Sequence, residues 1–166
     1  MKKIASVLMV IFLMCGCSKP ADNIKAVLSG ISFTAQISFY NEAFVCEGNI
    51  NTDGVFKLKV KEPENIEGMV FTVENKKVIV QFKGLSYTPS TGTSPFSGVA
   101  QYIYMILSDA KDRLAPVKSE GESFYIESAS GEKYYKIILT QTGLPLSLEY
   151  PSEGLKVSFL NMTIEE

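Results

Sequence analysis

One stretch, Thr88 to Arg113, carries a helical period in a chain whose remainder alternates residue by residue. It opens with a polar loop from Thr88 to Pro95 and continues from Phe96 with Val99, Ile103, Ile106, Ala110 and Leu114 at steps of three or four. That spacing draws one apolar stripe along a helix of 3.6 residues per turn. Ser94 followed by Pro95 suits an N-cap and first-turn pair, because proline lacks the N–H that a first turn leaves unbonded. A lone helix between two sets of strands needs an apolar surface to cover. The concave side of a curved sheet supplies one.

The strands read clearly. Ile31, Phe33, Ala35, Ile37 and Phe39 alternate with Ser32, Thr34, Gln36, Ser38 and Tyr40. Such a period of two marks a sheet with one wet and one buried face. Phe44, Cys46, Gly48 and Ile50 come next, then an Asp53-Gly54 turn, then Phe56, Leu58 and Val60 between Lys57, Lys59 and Lys61. Met69, Phe71 and Val73 resume after Pro63 and Gly68, and Val78, Val80 and Phe82 complete the first half. Beyond the helix come Phe124 and Ile126, then Tyr135, Ile137 and Leu139, then Leu144 to Tyr150, and last Leu155, Val157 and Phe159. Roughly nine or ten strands with tight turns and no βαβ alternation make an antiparallel meander. The expected fold is mainly β: a curved antiparallel sheet or half-open β-barrel, its concave face covered by the one helix and a short N-terminal helix. The short helix is read from Asp22 as cap, Ile24, Val27 and Leu28 on one face, and Gly30 as its close.

The N-terminus tells where the chain sits. Met1-Lys2-Lys3 is a basic start, and Ile4 to Met14 is an apolar run of about 11 residues, short of the about 20 that span a bilayer. Leu13-Met14-Cys15-Gly16-Cys17-Ser18 comes after it, and this resembles the bacterial lipoprotein signal, in which a small residue precedes a cysteine that is acylated. Gly16 before Cys17 fits that pattern; Met14 before Cys15 does not. The resemblance implies residues 1–16 as signal peptide, lipid (palmitate or similar) on Cys17, a tether over 17–23 and a single domain over 24–166. An uncleaved anchor or an ordinary secretory signal is the other reading of this segment. Roughly 150 residues remain after cleavage, enough for one core and not for two.

Several chemistries are excluded or weakened. The sequence has no histidine, which removes the usual general base and the commonest metal ligand. No basic residue adjoins Cys46, so it reads as a core residue. Glu62, Glu64 and Glu67 flank Pro63 without the spacing of a calcium loop, and a solvated turn is the plainer reading. The formal charge of -2 for the whole chain argues against nucleic acid. No cofactor motif is present, and an enzyme is not expected. Lys57, Lys59 and Lys61 point one way from a strand: either a basic face for anionic headgroups or an acidic partner, or a solvated face that discourages edge pairing. Tyr102, Tyr104 and Met105 either line a ligand channel or pack ordinarily.

Two stretches carry a family resemblance. Phe56 to Pro63, joined to Gly68 to Val73 and Lys77 to Phe82, is similar to paired strands that step through a proline in the LolA/LolB-type lipoprotein carriers and their Gram-positive lipoprotein relatives. Thr142-Gly143-Leu144-Pro145, leading into Leu155 to Phe159, resembles that family's late hairpin. The resemblance implies a half-open barrel with helices on its concave side. The family's arginine latch before the proline is absent, since Lys61 and Glu62 stand there. Signal and resemblance together imply a membrane-anchored lipoprotein facing the extracytoplasmic side, held through acylated Cys17. Such a protein is non-catalytic and binds an acyl chain or lipidated ligand in the sheet hollow. Phe33, Ile37, Phe56, Leu58, Phe71, Ile103 and Ile106 are the expected lining. The alternative is a scaffold that holds an envelope enzyme at the membrane by the sheet's outer face or an edge. Whether the concave side is open or filled separates the two.

Overall fold

The computed structural model describes residues 19–20, 25–89, 95–112, 114–130 and 133–164. The signal segment, Cys17 and the start of the expected short helix lie outside them.

Eleven antiparallel strands form one unclosed curved sheet. A two-residue bridge, β1 (Lys19–Pro20), extends one edge by pairing with β8. The first meander is β2 (Ile31–Phe39), β3 (Glu42–Ile50), β4 (Phe56–Glu62), β5 (Val70–Glu74), β6 (Lys77–Phe82) and β7 (Leu85–Tyr87). The helix α1 (Pro95–Asp112) comes next. The second meander is β8 (Lys118–Glu120), β9 (Ser123–Ser130), β10 (Lys133–Leu139), β11 (Pro145–Tyr150) and β12 (Leu155–Ile164). In space the order is β1-β8-β9-β10-β11-β12-β2-β3-β4-β5-β6-β7. The last strand therefore lies beside β2 and fuses the two meanders, with Val157 opposite Ile37 and Phe159 opposite Ala35. Topology then dictates the path of the helix. The chain leaves the first meander at one edge, β7, and enters the second at the opposite edge, β8. The connection must cross the sheet, and 18 helical residues reach about 27 Å at 1.5 Å each.

The crossing runs over the apolar face. Cross-strand rows such as Ile31–Ile50–Phe56–Val73–Val78 and Phe33–Gly48–Leu58–Phe71–Val80 pave it. Val99, Ala100, Ile103, Ile106, Leu107 and Ala110 of α1 are buried against this surface. Each large aliphatic side chain so covered contributes about 1.5–3 kcal/mol. The expected stripe holds except at its last member. Leu114 is 88% exposed, with φ of +47°. The helix ends first: Leu114 N–H donates to the Lys111 carbonyl (3.1 Å) and Ala115 N–H to the Ala110 carbonyl (3.0 Å). That pair of bonds is a Schellman close, with a leucine in the left-handed position glycine usually takes.

The expected short N-terminal helix is not seen in its described part. Lys25 to Leu28 are irregular, and Val27 N–H donates to the Gly143 carbonyl at 2.9 Å. The segment is a strap over the Thr142-Gly143-Leu144-Pro145 turn. A side chain at Gly143 would strike the Lys25 carbonyl, so that glycine (φ +85°) is required by the strap as well as the turn. Two strands that the sequence reading does not include, β7 and β8, are three residues each; β7 ends the long sheet on one side, and β8 lies on the other side just inside the two-residue β1.

Gly48 is required for another reason. A Cβ there would lie 2.6 Å from Phe33 Cε2 and 3.2 Å from Leu58 Cδ1. The Phe33 ring, set edge-on to Phe159 at 5.1 Å, occupies the missing side chain's place. Gly48→Ala should lose about 1–3 kcal/mol in urea unfolding, and adding Phe33→Leu should recover part of it. Cys46, in the next inward position, is 2% exposed, and burial pushes its thiol from 9.0 up to about 12. The thiol is a packing group and not a nucleophile. Between about pH 9 and 12 the unfolded chain loses this proton and the folded chain keeps it, so stability falls as pH rises, by up to about 1.4 kcal/mol per unit. Urea unfolding of Cys46→Ala should show a shallower decline over that range than wild type, whatever its overall level.

Candidate functional site

The hollow beneath the helix is filled. Phe33, Ile37, Phe56, Leu58, Phe71, Ile103 and Ile106 are brought together under α1, each at most 5% exposed. The space left among Ile37, Phe44, Cys46, Leu58, Val60, Phe71 and Val99 is about 10 Å³. A single water needs roughly that much, whereas small-molecule sites run to roughly 300–1,000 Å³. These side chains pack against each other.

Polar clasps fix the helix over this core. Tyr102 O–H donates to Glu153 Oε2 at 2.9 Å, and Tyr135 O–H donates to Asp109 Oδ2 at 2.9 Å. Desolvation first, and the Glu153 carboxylate second, push the Tyr102 hydroxyl up to about 12, so it remains a donor at physiological pH. Tyr102 also sets its ring edge-on to Tyr150 at 5.6 Å, and Tyr104 lies 6.4 Å from Phe56. Tyr102, Tyr104 and Met105 thus pack against the core.

Open space lies on the other face. Two adjoining recesses run along the outer side of β12, β2, β3 and β4, of about 500 Å³ and about 590 Å³. Two cross-strand rows build the first: Thr163–Ser32–Asn49–Lys57 and Asn161–Thr34–Glu47–Lys59, the second row extended by Val70. The next rows, Ser158–Gln36–Val45–Glu62 and Lys156–Ser38–Ala43, build the second. The floor is low because the outer positions of β2 are Ser32, Thr34, Gln36 and Ser38, with no long charged side chain among them. Longer side chains of β3, β4 and β12 rise on either side. A bulge between Phe159 and Asn161 shifts the β12 register, pairing Asn161 with Thr34 on the outer face.

Charge in this trough is uneven. Lys61 pairs with Glu47 at 3.3 Å and Lys156 with Glu149 at 3.6 Å; away from the trough, Lys118 of β8 pairs with Glu127 of β9 at 2.6 Å. The last hydrogen bond raises the Lys118 pKa. Lys57 and Lys59 are exposed on the first recess and take part in none of these pairs. Edge protection is not their task, since β4 lies between β3 and β5. Glu62, Glu64 and Glu67 lie exposed around a 3-10 turn, Glu64–Ile66, and no cluster of metal-ligating side chains occurs among the described residues. The trough is hidden from sequence reading because it exists only across strands. Its one local signal is the run of short polar side chains on β2.

No protein-family model matches the chain, and no curated protein does. Several solved structures are similar in outline. A LolA superfamily protein from Nitrosomonas europaea is 9% identical with a TM-score of 0.46, over 88% of this chain and 90% of that one. A DUF1329 family protein from Desulfovibrio piger is 12% identical with a TM-score of 0.45, over 82% of this chain and 86% of that one. An uncharacterized conserved protein from Thermus thermophilus is 9% identical with a TM-score of 0.46, over 83% and 80%. The LolA superfamily, which the strand pattern resembles, is thus among the folds to which this chain is similar in outline.

Proposed function

We propose that this protein is a non-catalytic, membrane-anchored interaction module that presents the outer face of its sheet to another component of the cell envelope, with α1 as a fixed plug of the hollow. The observation that carries this reading is the contrast between faces: about 10 Å³ beneath the helix against two open recesses of about 500 and 590 Å³ outside. Acylation of Cys17 would hold that surface at the membrane. More than one chain would make the hold firm, since a single acyl chain binds only marginally.

A charge and bulk change at the floor of the trough separates the readings. Thr34→Arg should abolish crosslinked partners that wild type captures reproducibly from envelopes, and should leave the unfolding midpoint nearly unchanged. Capture that survives Thr34→Arg would overturn the outer-face reading. The second reading, an acyl ligand in the hollow with α1 as lid, draws on the two tyrosine–carboxylate clasps, which break without removing a core side chain. With α1 as a fixed plug, native mass spectrometry of protein incubated with lipid extract retains no lipid beyond the anchor. Lipid also leaves the melting temperature unmoved. Retained lipid with a rise in melting temperature would instead establish the lid.

The anchor has its own test. Metabolic labelling with a palmitate analogue should mark wild type and not Cys17→Ser, and the serine variant should gain no lipid in membrane fractions. A Cys17→Ser protein that still carries label would move the lipid to another residue.

A further inference from the structure

We infer that one rim of the curved sheet is a membrane-contact surface, with the lipid headgroups of the anchoring bilayer lying against the turns at residues 51–55, 75–76, 121–122 and 140–144. The inference rests on the acylation of Cys17 proposed above, and it adds which part of the domain meets the bilayer. β1 decides the direction. Lys19 stands opposite Ser119 and Pro20 opposite Lys118, so the chain enters β1 from the side of Glu120 and the turn that joins β8 to β9. Antiparallel alternation puts the start of β2 and the ends of β3 and β12 on the same rim, where Ile31 is opposite both Ile50 and Ile164. The rim continues through Phe56, Val73 and Val78 to the end of β7 at Tyr87.

Length decides the contact. Cys17 precedes Lys19 by two residues. Two extended residues span at most about 7 Å, whereas a tether free as far as Lys25 would span about 26 Å. The headgroup layer on each side of a hydrocarbon core is about 5–8 Å deep. An acyl chain on Cys17 that enters the core therefore draws the rim to headgroup level, because the β1 bridge shortens the leash. The rim suits that level. Tyr87 is 50% exposed at the end of β7, and Ile164 is 59% exposed at the end of β12. An exposed tyrosine, with an apolar ring and a polar tip, fits among headgroups. Lys25, Lys76 and Lys77 are exposed on this rim, as are Asp53, Glu74, Glu120 and Glu122, so charge is close to balanced among its described residues. Tether length rather than charge sets the contact. The nine residues of β2 put the opposite rim, where Glu42, Glu62, Glu64 and Glu67 are exposed, about 30 Å away. With the strands upright, the first outer recess opens near the headgroups, since Ser32 and Thr163 lie one residue from their strand ends, and the second opens farther out.

The chain has no tryptophan, so single-tryptophan variants report their own depth. The full acylated protein is reconstituted into phosphatidylcholine vesicles that contain a phosphatidylcholine with a nitroxide on its headgroup, and quenching of indole emission is read. Tyr87→Trp and Ile164→Trp should be quenched at least twofold more than Asn65→Trp, which lies in the 3-10 turn at the opposite rim. A Gly/Ser insert of about 12 residues between Ser18 and Lys19, with a mean reach of about 20 Å, should lower the quenching of both rim reporters to the Asn65→Trp level. The insert should leave flotation with the vesicles intact. Equal quenching at both rims, stronger quenching of Asn65→Trp, or rim quenching that the insert does not change would overturn the inference. Wild type that fails to float, or a Cys17→Ser protein that floats equally well, removes the acyl anchor and this inference with it. Cys17-dependent flotation with unquenched rim reporters removes the orientation alone and leaves the anchor standing.

Discussion

The fold depends on one act of desolvation: a sheet with a single apolar face has to find a cover, and the chain carries one helix to provide it. Chain path and core formation are the same event here. Because β7 and β8 stand at opposite edges, the linker between the meanders must cross the sheet, and an amphipathic linker crossing the concave side closes the core as it goes. The strands on either side need no further contact with each other. This is why the sheet can stay unclosed and yet bury all of Ile31, Phe56, Ile103 and Leu155.

That dependence bears on function. A lid must open at a cost the fold can bear. Lifting α1 would expose Ile103, Ile106 and Leu107, each fully buried, and the sheet residues beneath them. At about 1.5–3 kcal/mol per large side chain the opening approaches the about 5–15 kcal/mol that holds an ordinary domain together. The two clasps add to this cost, each hydrogen bond to a carboxylate contributing about as much as one buried side chain, about 1.5–3 kcal/mol. A helix that carries so much of the core behaves as part of it, and an acyl ligand would have to replace nearly the whole contact it displaces.

Most of the architecture is legible in the sequence because it is encoded locally. Alternation fixes which face of each strand is buried, and the inward positions read from Phe33, Cys46, Leu58 and Ile137 are buried as expected. The helical stripe is equally readable up to Ala110. Leu114 departs from it because periodicity cannot register where a helix stops; here the stop is set by backbone bonds to Lys111 and Ala110, with no glycine to announce it. The short helix expected from Asp22 to Gly30 is not seen over its described residues, 25–30, for a related reason. Val27 and Leu28 satisfy a helical spacing, but Val27 N–H bonds to the Gly143 carbonyl, a tertiary partner far along the chain. The hollow is the deeper case. Apolar residues that converge from a sheet and a helix look the same in sequence whether they line a cavity or fill it, because volume depends on how closely the layers approach.

The outer face presents the opposite problem, since its shape comes from side chains that are absent. A sheet face built only for solubility tends toward the pattern around Lys156 and Glu149, where opposite charges sit across neighbouring strands and largely satisfy one another. Between β12 and β4 the pattern breaks. Short hydroxyl and amide side chains lower the floor over β2, the β12 bulge sets Asn161 beside it, and Lys61 rather than Lys59 takes the glutamate that lies directly opposite Lys59 in the ladder. Lys61 can reach it because the β3–β4 register shifts between Val45 and Cys46, leaving Lys61 without a ladder partner of its own. One irregularity thus removes the carboxylate that would have neutralised Lys59. The positive charge of the recess is consequently a product of the fold's geometry, and a change that restored regular pairing there would discharge the recess without touching the core.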